Sequence, residues 1–325
     1  MILLSHVKRA AEIVSAVAWL SGGTAVAQSW PAPGKPLRIV VPAGPGSAAD
    51  VRSRQLAHKL TESLGVAVLV ENRAGADGLI GAQEAARAAP DGHTLFMGSI
   101  NTHVINDLID PGRPFRADRV LVPVTRVASG IAILVASPAF GVRTLQDVLA
   151  RARARPGAVR YAASGALGRL LGEMIKDAVQ IDMLEIPYKT QSQELTQLMS
   201  GQVDLSVTFI SVVQSHLQSG KLVPIAVASS RRHGGVPDVP TFGEAGVPGV
   251  EATGWIGFFV PIKTPERIIM SVHREVRRAL ETDDIREDYV GAGLDIGGEP
   301  PEAFAAFIRT RPSVGANSSG SAISS

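Results

Sequence analysis

From Leu37 onward, short β-rich runs alternate with stretches of helical periodicity, and such alternation leads to an α/β fold with largely parallel sheets flanked by helices. Leu37-Arg38-Ile39-Val40-Val41 reads as a buried strand that stops at Pro42. The loop Ala43-Gly44-Pro45-Gly46 follows, and Ser47 with Asp50 three residues later spells a capping-box-like helix start. Val51, Leu56, Leu60 and Leu64 recur at roughly helical spacing before Gly65 ends the helix. Residues 66–70 read as a second strand, 78–89 as a second helix and 94–98 as a third strand, which completes a β-α-β-α-β half-domain.

A second series begins with a Thr144-x-x-Asp147 helix start over 144–155, closed by Pro156-Gly157. Strand-like runs at Tyr161, 183–186, 203–207 and 223–228 are separated by helical stretches near 170–178 and 191–199. A late apolar strand covers 255–260, and Thr264-Pro265 opens a long helix to Leu280 with proline in its first turn. With 325 residues, 45% of them hydrophobic, the chain can build two cores. The expectation is two lobes: residues 28–125 with 229–310 form the first, and 126–228 the second. Ligand sites are expected outside the carboxyl ends of strands.

Lys8 and Arg9 precede an apolar stretch at 13–20 and the small residues Ala25-Val26-Ala27. This is a secretory signal pattern over 1–27, with cleavage expected after Ala27. The stretch is far shorter than the roughly 20 residues needed to cross a hydrocarbon core. At the other end, 311–325 is rich in Ser, Gly and Asn without apolar periodicity and reads as a disordered tail. The absence of cysteine excludes a disulfide framework and a thiolate site or nucleophile. A formal net charge of +2 without interleaved aromatic and basic residues gives no nucleic-acid footprint. No metal-ligand spacing and no Gly-x-Ser-x-Gly elbow occurs, so neither a metal nor a catalytic serine is expected.

The loop 42–50 exposes backbone N–H groups at the positive end of a helix dipole, which suits an anion. It also fits Gly44-x-Gly46-x-x-Ala49 with Glu71 about 20 residues on, a dinucleotide-binding spelling; Pro42 and Pro45 remove donors that a pyrophosphate would need. An ordinary capped turn is the third reading. Ser99, Asn101 and Thr102 stand at the end of the third strand, beside His103, which reads as a packing histidine. Ser164-Gly165 repeats the strand–glycine loop–helix pattern, so two such loops facing one cleft can clamp a carboxylate. Arg151, Arg153 and Arg155 read as a solvated helix face, with partner docking as the alternative.

Lys35-Pro36-Leu37-Arg38-Ile39-Val40-Val41-Pro42, Pro45-Gly46-Ser47-Ala48-Ala49-Asp50, Val70-Glu71-Asn72-Arg73-Ala74-Gly75-Ala76, Pro187-Tyr188-Lys189 and Gly201-Gln202-Val203-Asp204-Leu205 occur in order. So do Ala89-Pro90-Asp91-Gly92-His93-Thr94-Leu95 and Val236-Pro237-Asp238-Val239-Pro240-Thr241. In these strings the chain resembles the substrate-binding proteins of tripartite tricarboxylate transporters, the Bug family, from about Lys35 to Phe307. The resemblance implies a two-lobed type II periplasmic-binding-protein fold that closes on a small carboxylate. It further implies a non-catalytic, periplasmic, monomeric receptor without cofactor that delivers its ligand to membrane permease subunits. A sensor partnered by a membrane kinase is the alternative, and a dinucleotide-binding oxidoreductase the more distant one.

Carried over by position, the ligand-binding residues are Gly44, Gly46, Ser47, Ala48, Asp50, Ser99, Thr102, Ser164 and Gly165. Asn101 joins them from the polar cluster. Thr208 stands where many members have an aspartate that could meet a ligand amine, which disfavours an amino acid here. Gly168-Arg169-Leu170 replaces the family's usual serine/threonine-rich entry and histidine, Thr190 replaces a glycine, and a Ser/Gly tail after Arg309 replaces the final amphipathic helix.

Overall fold

The run at 37–41 is a strand covered on both faces: Leu37, Ile39 and Val41 pack into one core and Val40 into another, the mark of a parallel-sheet strand. It is β1 (Leu37–Val41) of the computed structural model, which describes residues 30–309. The signal sequence expected over 1–27 and the tail at 311–325 lie outside the described residues. Helix α1 (Ala48–Leu64) starts at Ser47 and ends at Gly65, whose φ of 66° is the left-handed stop that glycine supplies. Its inward stripe is Ser53, Leu56, Ala57 and Leu60; Val51, expected on that stripe, faces solvent. Strands β2 (Val68–Asn72) and β3 (Thr94–Ser99) flank β1 in parallel, with α2 (Leu79–Ala86) between them in the chain.

The axis of the molecule is β4 (Leu121–Ala136). From Leu121 to Ile131 it pairs antiparallel with β9 (Thr253–Pro261), and from Ala132 to Ala136 with the strands of a second sheet. The division expected at 125/126 falls inside this unbroken strand, whose partners change between Ile131 and Ala132. Next come α3 (Leu145–Ala154), β5 (Arg160–Ala163), α4 (Ala166–Val179), β6 (Leu184–Pro187) and α5 (Gln191–Met199). Then β7 (Leu205–Phe209), α6 (Ile210–Gln218) and β8 (Val223–Val227) complete the unit. Here β5 runs parallel to β6 and β7, while β4 is antiparallel to β7 and β8. Thr144 and Asp147 form a complete capping box on α3, and Arg151, Arg153 and Arg155 are exposed at its far end.

The chain returns through β9, which inserts between β3 and β4. Helix α7 (Glu266–Leu280) buries Ile268, Val272 and Val276, one helical turn apart, against the first sheet. Pro265 is its N-cap and lies just outside the helix. After α8 (Asp283–Gly291) and the short β10 (Asp295–Ile296), helix α9 (Pro301–Arg309) closes the described chain. The residues after Arg309, where a Ser/Gly tail was expected in place of the final amphipathic helix, lie outside the described residues. Phe304 of α9 is fully buried, with its ring centroid 5.4 Å from those of Trp255 and Phe259. The result is the two-lobed type II periplasmic-binding-protein fold, with two mixed sheets joined through β4. No described helix is long and apolar enough to cross a membrane.

Candidate functional site

The carboxyl ends of β1, β2 and β3 in one lobe and of β5, β6 and β7 in the other open on one cleft of about 720 Å³, within the roughly 300–1,000 Å³ usual for small-molecule sites. Gly44, Ser47 and Ala48 line it from the first loop. Ser47 caps α1 by accepting from Asp50 N–H at 3.2 Å. The reciprocal half of the capping box goes elsewhere: the Asp50 carboxylate accepts from Gly46 N–H and from Asn72 Nδ2, both at 2.9 Å, and pairs with Arg54. Burial alone would raise the Asp50 carboxyl, but the hydrogen bonds from Arg54, Gly46 and Asn72 outweigh it and hold the group below its ordinary value. Asp50 therefore shapes the loop from behind; Gly46 is exposed, with Ser192 Oγ of the second lobe 3.3 Å from where its Cβ would lie, and neither is among the residues lining the cleft.

Ser99, Asn101 and Thr102 line the cleft from the turn after β3, a single five-residue π-helical turn over Asn101–Ile105. Thr102 Oγ1 accepts from Ser99 N–H at 2.9 Å and is 3.0 Å from Ser99 O, so this hydroxyl is spent on folding the turn. His103 points away from the cleft and stacks on Phe259 with ring centroids 3.8 Å apart. Burial lowers its imidazole to about 3, which makes it the neutral packing histidine the sequence suggested.

In the second lobe, Ser164, Gly165 and Thr208 line the facing wall. Helix α4 has no side-chain cap of its own; instead Leu167 N–H donates to Asn101 Oδ1 of the opposite lobe at 3.0 Å. Ser164 donates through its hydroxyl and its N–H to Glu194, a fully buried carboxyl that also accepts from Ser206. Burial pushes Glu194 up to about 7, against the lowering effect of those hydrogen bonds. Thr208 Oγ1 accepts from Gln191 Nε2 at 3.2 Å.

Two stretches of the wall were not singled out as site residues from the sequence: the turn 74–78 after β2, and 188–191 after β6. Both follow parallel strands, so the rule that ligands gather at carboxyl strand ends points to them. Thr190 also carries a visible helix-cap signal, accepting from Gln193 N–H. The lobes approach closely at these rims. A Cβ on Gly44 would come 2.9 Å from Thr190 Cγ2, so a larger residue there would push against the facing lobe. Glu71, the acid that a dinucleotide-binding reading requires, is tied to Arg38 and Arg73 at 3.3 and 3.1 Å.

Residues 52–311 match the model of the tripartite tricarboxylate transporter family receptor. Protein BugT of Bordetella pertussis is 33% identical over 279 residues, covering 85% of this chain and 86% of its own. The structure of Rpa4515 of R. palustris with adipate superposes with a TM-score of 0.82 at 27% identity, covering 87% of this chain and 94% of that one. That of MatC (Rpa3494) from Rhodopseudomonas palustris with bound malate gives 0.80 at 29% identity, covering 86% and 96%. Matched over most of its length, with the two-lobed fold those relatives share, this chain belongs to the tripartite tricarboxylate transporter family of receptors, the Bug family.

Proposed function

We propose that the chain is a non-catalytic extracytoplasmic receptor that captures a small carboxylate between its lobes and delivers it to a permease of the tripartite tricarboxylate type. The observation that carries this reading is the pair of helix N-termini, α1 and α4, opening on one cleft from opposite lobes. Each dipole contributes only about 0.3–1 kcal/mol, whereas micromolar affinity requires about 8 kcal/mol. Hydrogen bonds to a charged group contribute roughly 1.5–3 kcal/mol each, so four or five donors from the two loops reach that total. Adipate and malate in the two relatives are of this chemical class. Thr208, an uncharged hydroxyl already engaged by Gln191, offers no carboxylate to a ligand ammonium.

A thermal-shift panel of matched hydroxy and amino acids on the mature protein tests this. An acid at about 100 times its Kd should add roughly 2.7 kcal/mol, and calorimetry on each hit supplies the affinity. Preference for amino acids would overturn the assignment of Thr208, and a response to NAD alone would overturn the function. Mass spectrometry of the periplasmic fraction should find the mature chain starting at Gln28; uncleaved protein confined to the cytosol would count against export.

A further inference from the structure

Among the described residues Asp77 is the one carboxylate lining the cleft, where it should repel an anionic ligand; Lys189 is the cation lining the same cleft. The turn that carries it is held in an uncommon shape. Ala76 and Asp77 both adopt left-handed backbone, with φ of 47° and 50°, a region that residues other than Gly, Asn and Asp seldom enter. Asn106 Nδ2 donates to Asp77 O at 3.0 Å and fixes the turn from its own lobe. The side chain is thereby aimed across the cleft, where Arg169 Nη2 of the second lobe donates to Asp77 Oδ2 at 2.5 Å.

Arg169 sits in the first turns of α4, the helix whose N-terminus faces the cleft, but does not itself line it. On its own lobe it has a weaker alternative partner, Glu185 Oε1 of β6 at 4.0 Å. The guanidinium is thus placed between one carboxylate that moves with it and one that belongs to the other lobe. Among the described residues Arg169 is the one cation paired with Asp77, and the pair spans the two lobes.

We propose that Asp77 and Arg169 form an interlobe latch that also cancels the negative charge on the cleft wall, making Arg169 a positioning residue for closure and a determinant of anion affinity. The closure half stands independently of what binds; the affinity half rests on the carboxylate reading above. The pair is about a third exposed on each side, so salt should weaken it.

Because the chain has no cysteine, spin labels can be placed at Ser63→Cys and Gln193→Cys, exposed positions in opposite lobes. Distances are then measured by double electron–electron resonance without added ligand. Arg169→Ala and Asp77→Asn should each lower the short-distance population about two- to fivefold. The charge-conserving Arg169→Lys should retain most of it, and about 1 M salt should shift the parent but neither Arg169→Ala nor Asp77→Asn. Identical distributions for the parent and folded Arg169→Ala would overturn the latch.

With malate as the probe, Arg169→Ala should weaken binding at least tenfold, and adding Asp77→Asn should recover most of the loss, since the uncancelled charge is then gone. Equal malate affinity in parent and Arg169→Ala would refute the affinity half. Binding of no carboxylate by the parent would refute the proposed function together with that half, and the ligand-free distances would still decide the latch.

Discussion

Replacing Glu194 by glutamine should remove a large part of the pH dependence of stability. Glu194 is 1% exposed, and burial raises its carboxyl from an ordinary 4.5 to about 7. Each tenfold difference in proton affinity corresponds to about 1.36 kcal/mol, so ionising Glu194 in the folded chain costs about 3 kcal/mol more than in the unfolded chain. Between these two values the folded chain holds a proton that the unfolded chain has released. The stabilisation is therefore fully present below about pH 4.5 and is lost as the pH rises through 7. For residues 30–309, an unfolding entropy of roughly 2.1 cal/mol/K per residue converts this into about 5 °C of melting temperature. Glutamine keeps the carbonyl that accepts from Ser164 and Ser206 and cannot ionise. Differential scanning fluorimetry of parent and Glu194→Gln from pH 5 to pH 8, a window that leaves out the part already lost by pH 5, should show the variant gaining about 4 °C relative to the parent. Parallel profiles would refute the argument and place the Glu194 proton affinity near that of an exposed glutamate.

Two further substitutions address the cleft directly. Ser47→Ala removes the cap on α1 and should cost about 0.5–2 kcal/mol of stability, read by urea unfolding, while weakening the carboxylate found in the panel; unchanged affinity would assign recognition to backbone donors alone. Thr208→Asp keeps an acceptor for Gln191 but adds a negative charge to the wall, so calorimetry should show at least a tenfold loss of carboxylate affinity, with any gain confined to amino acids.

Legibility in the sequence followed how local the signal was. Helix α5 is found at 191–199 as expected because both ends are punctuated: Thr190 caps it, and the chain turns at Gly201 with φ of 76°. The β1 loop and Ser164-Gly165 were legible for the same reason, each being a glycine turn between a buried strand and a helix start. Strand β4 was not legible. It is buried on both faces, and register shifts between Pro123 and Thr125 and between Arg126 and Ala128 break the two-residue alternation by which a strand is recognised. The turn 74–78 escaped because its geometry resides in backbone angles at Gly75, Ala76, Asp77 and Gly78, and no side-chain cap marks it as a helix start.

Asp50 shows the opposite case, and its cause is general. A cap residue and a ligand-binding residue at a helix N-terminus are spelled alike, since both are short polar side chains beside unpaired N–H groups. What separates them is whether the local chain already consumes the acceptor. Asp50 is consumed by Gly46, Asn72 and Arg54, and Thr102 by Ser99, whereas α4 is left uncapped within its own lobe and is completed by Asn101 across the cleft. An N-terminus that its own segment does not satisfy must find a partner elsewhere. In a two-lobed receptor that partner comes from the facing lobe or from a ligand, so the missing cap at Gly165 points to the site more directly than the well-formed cap at Ser47.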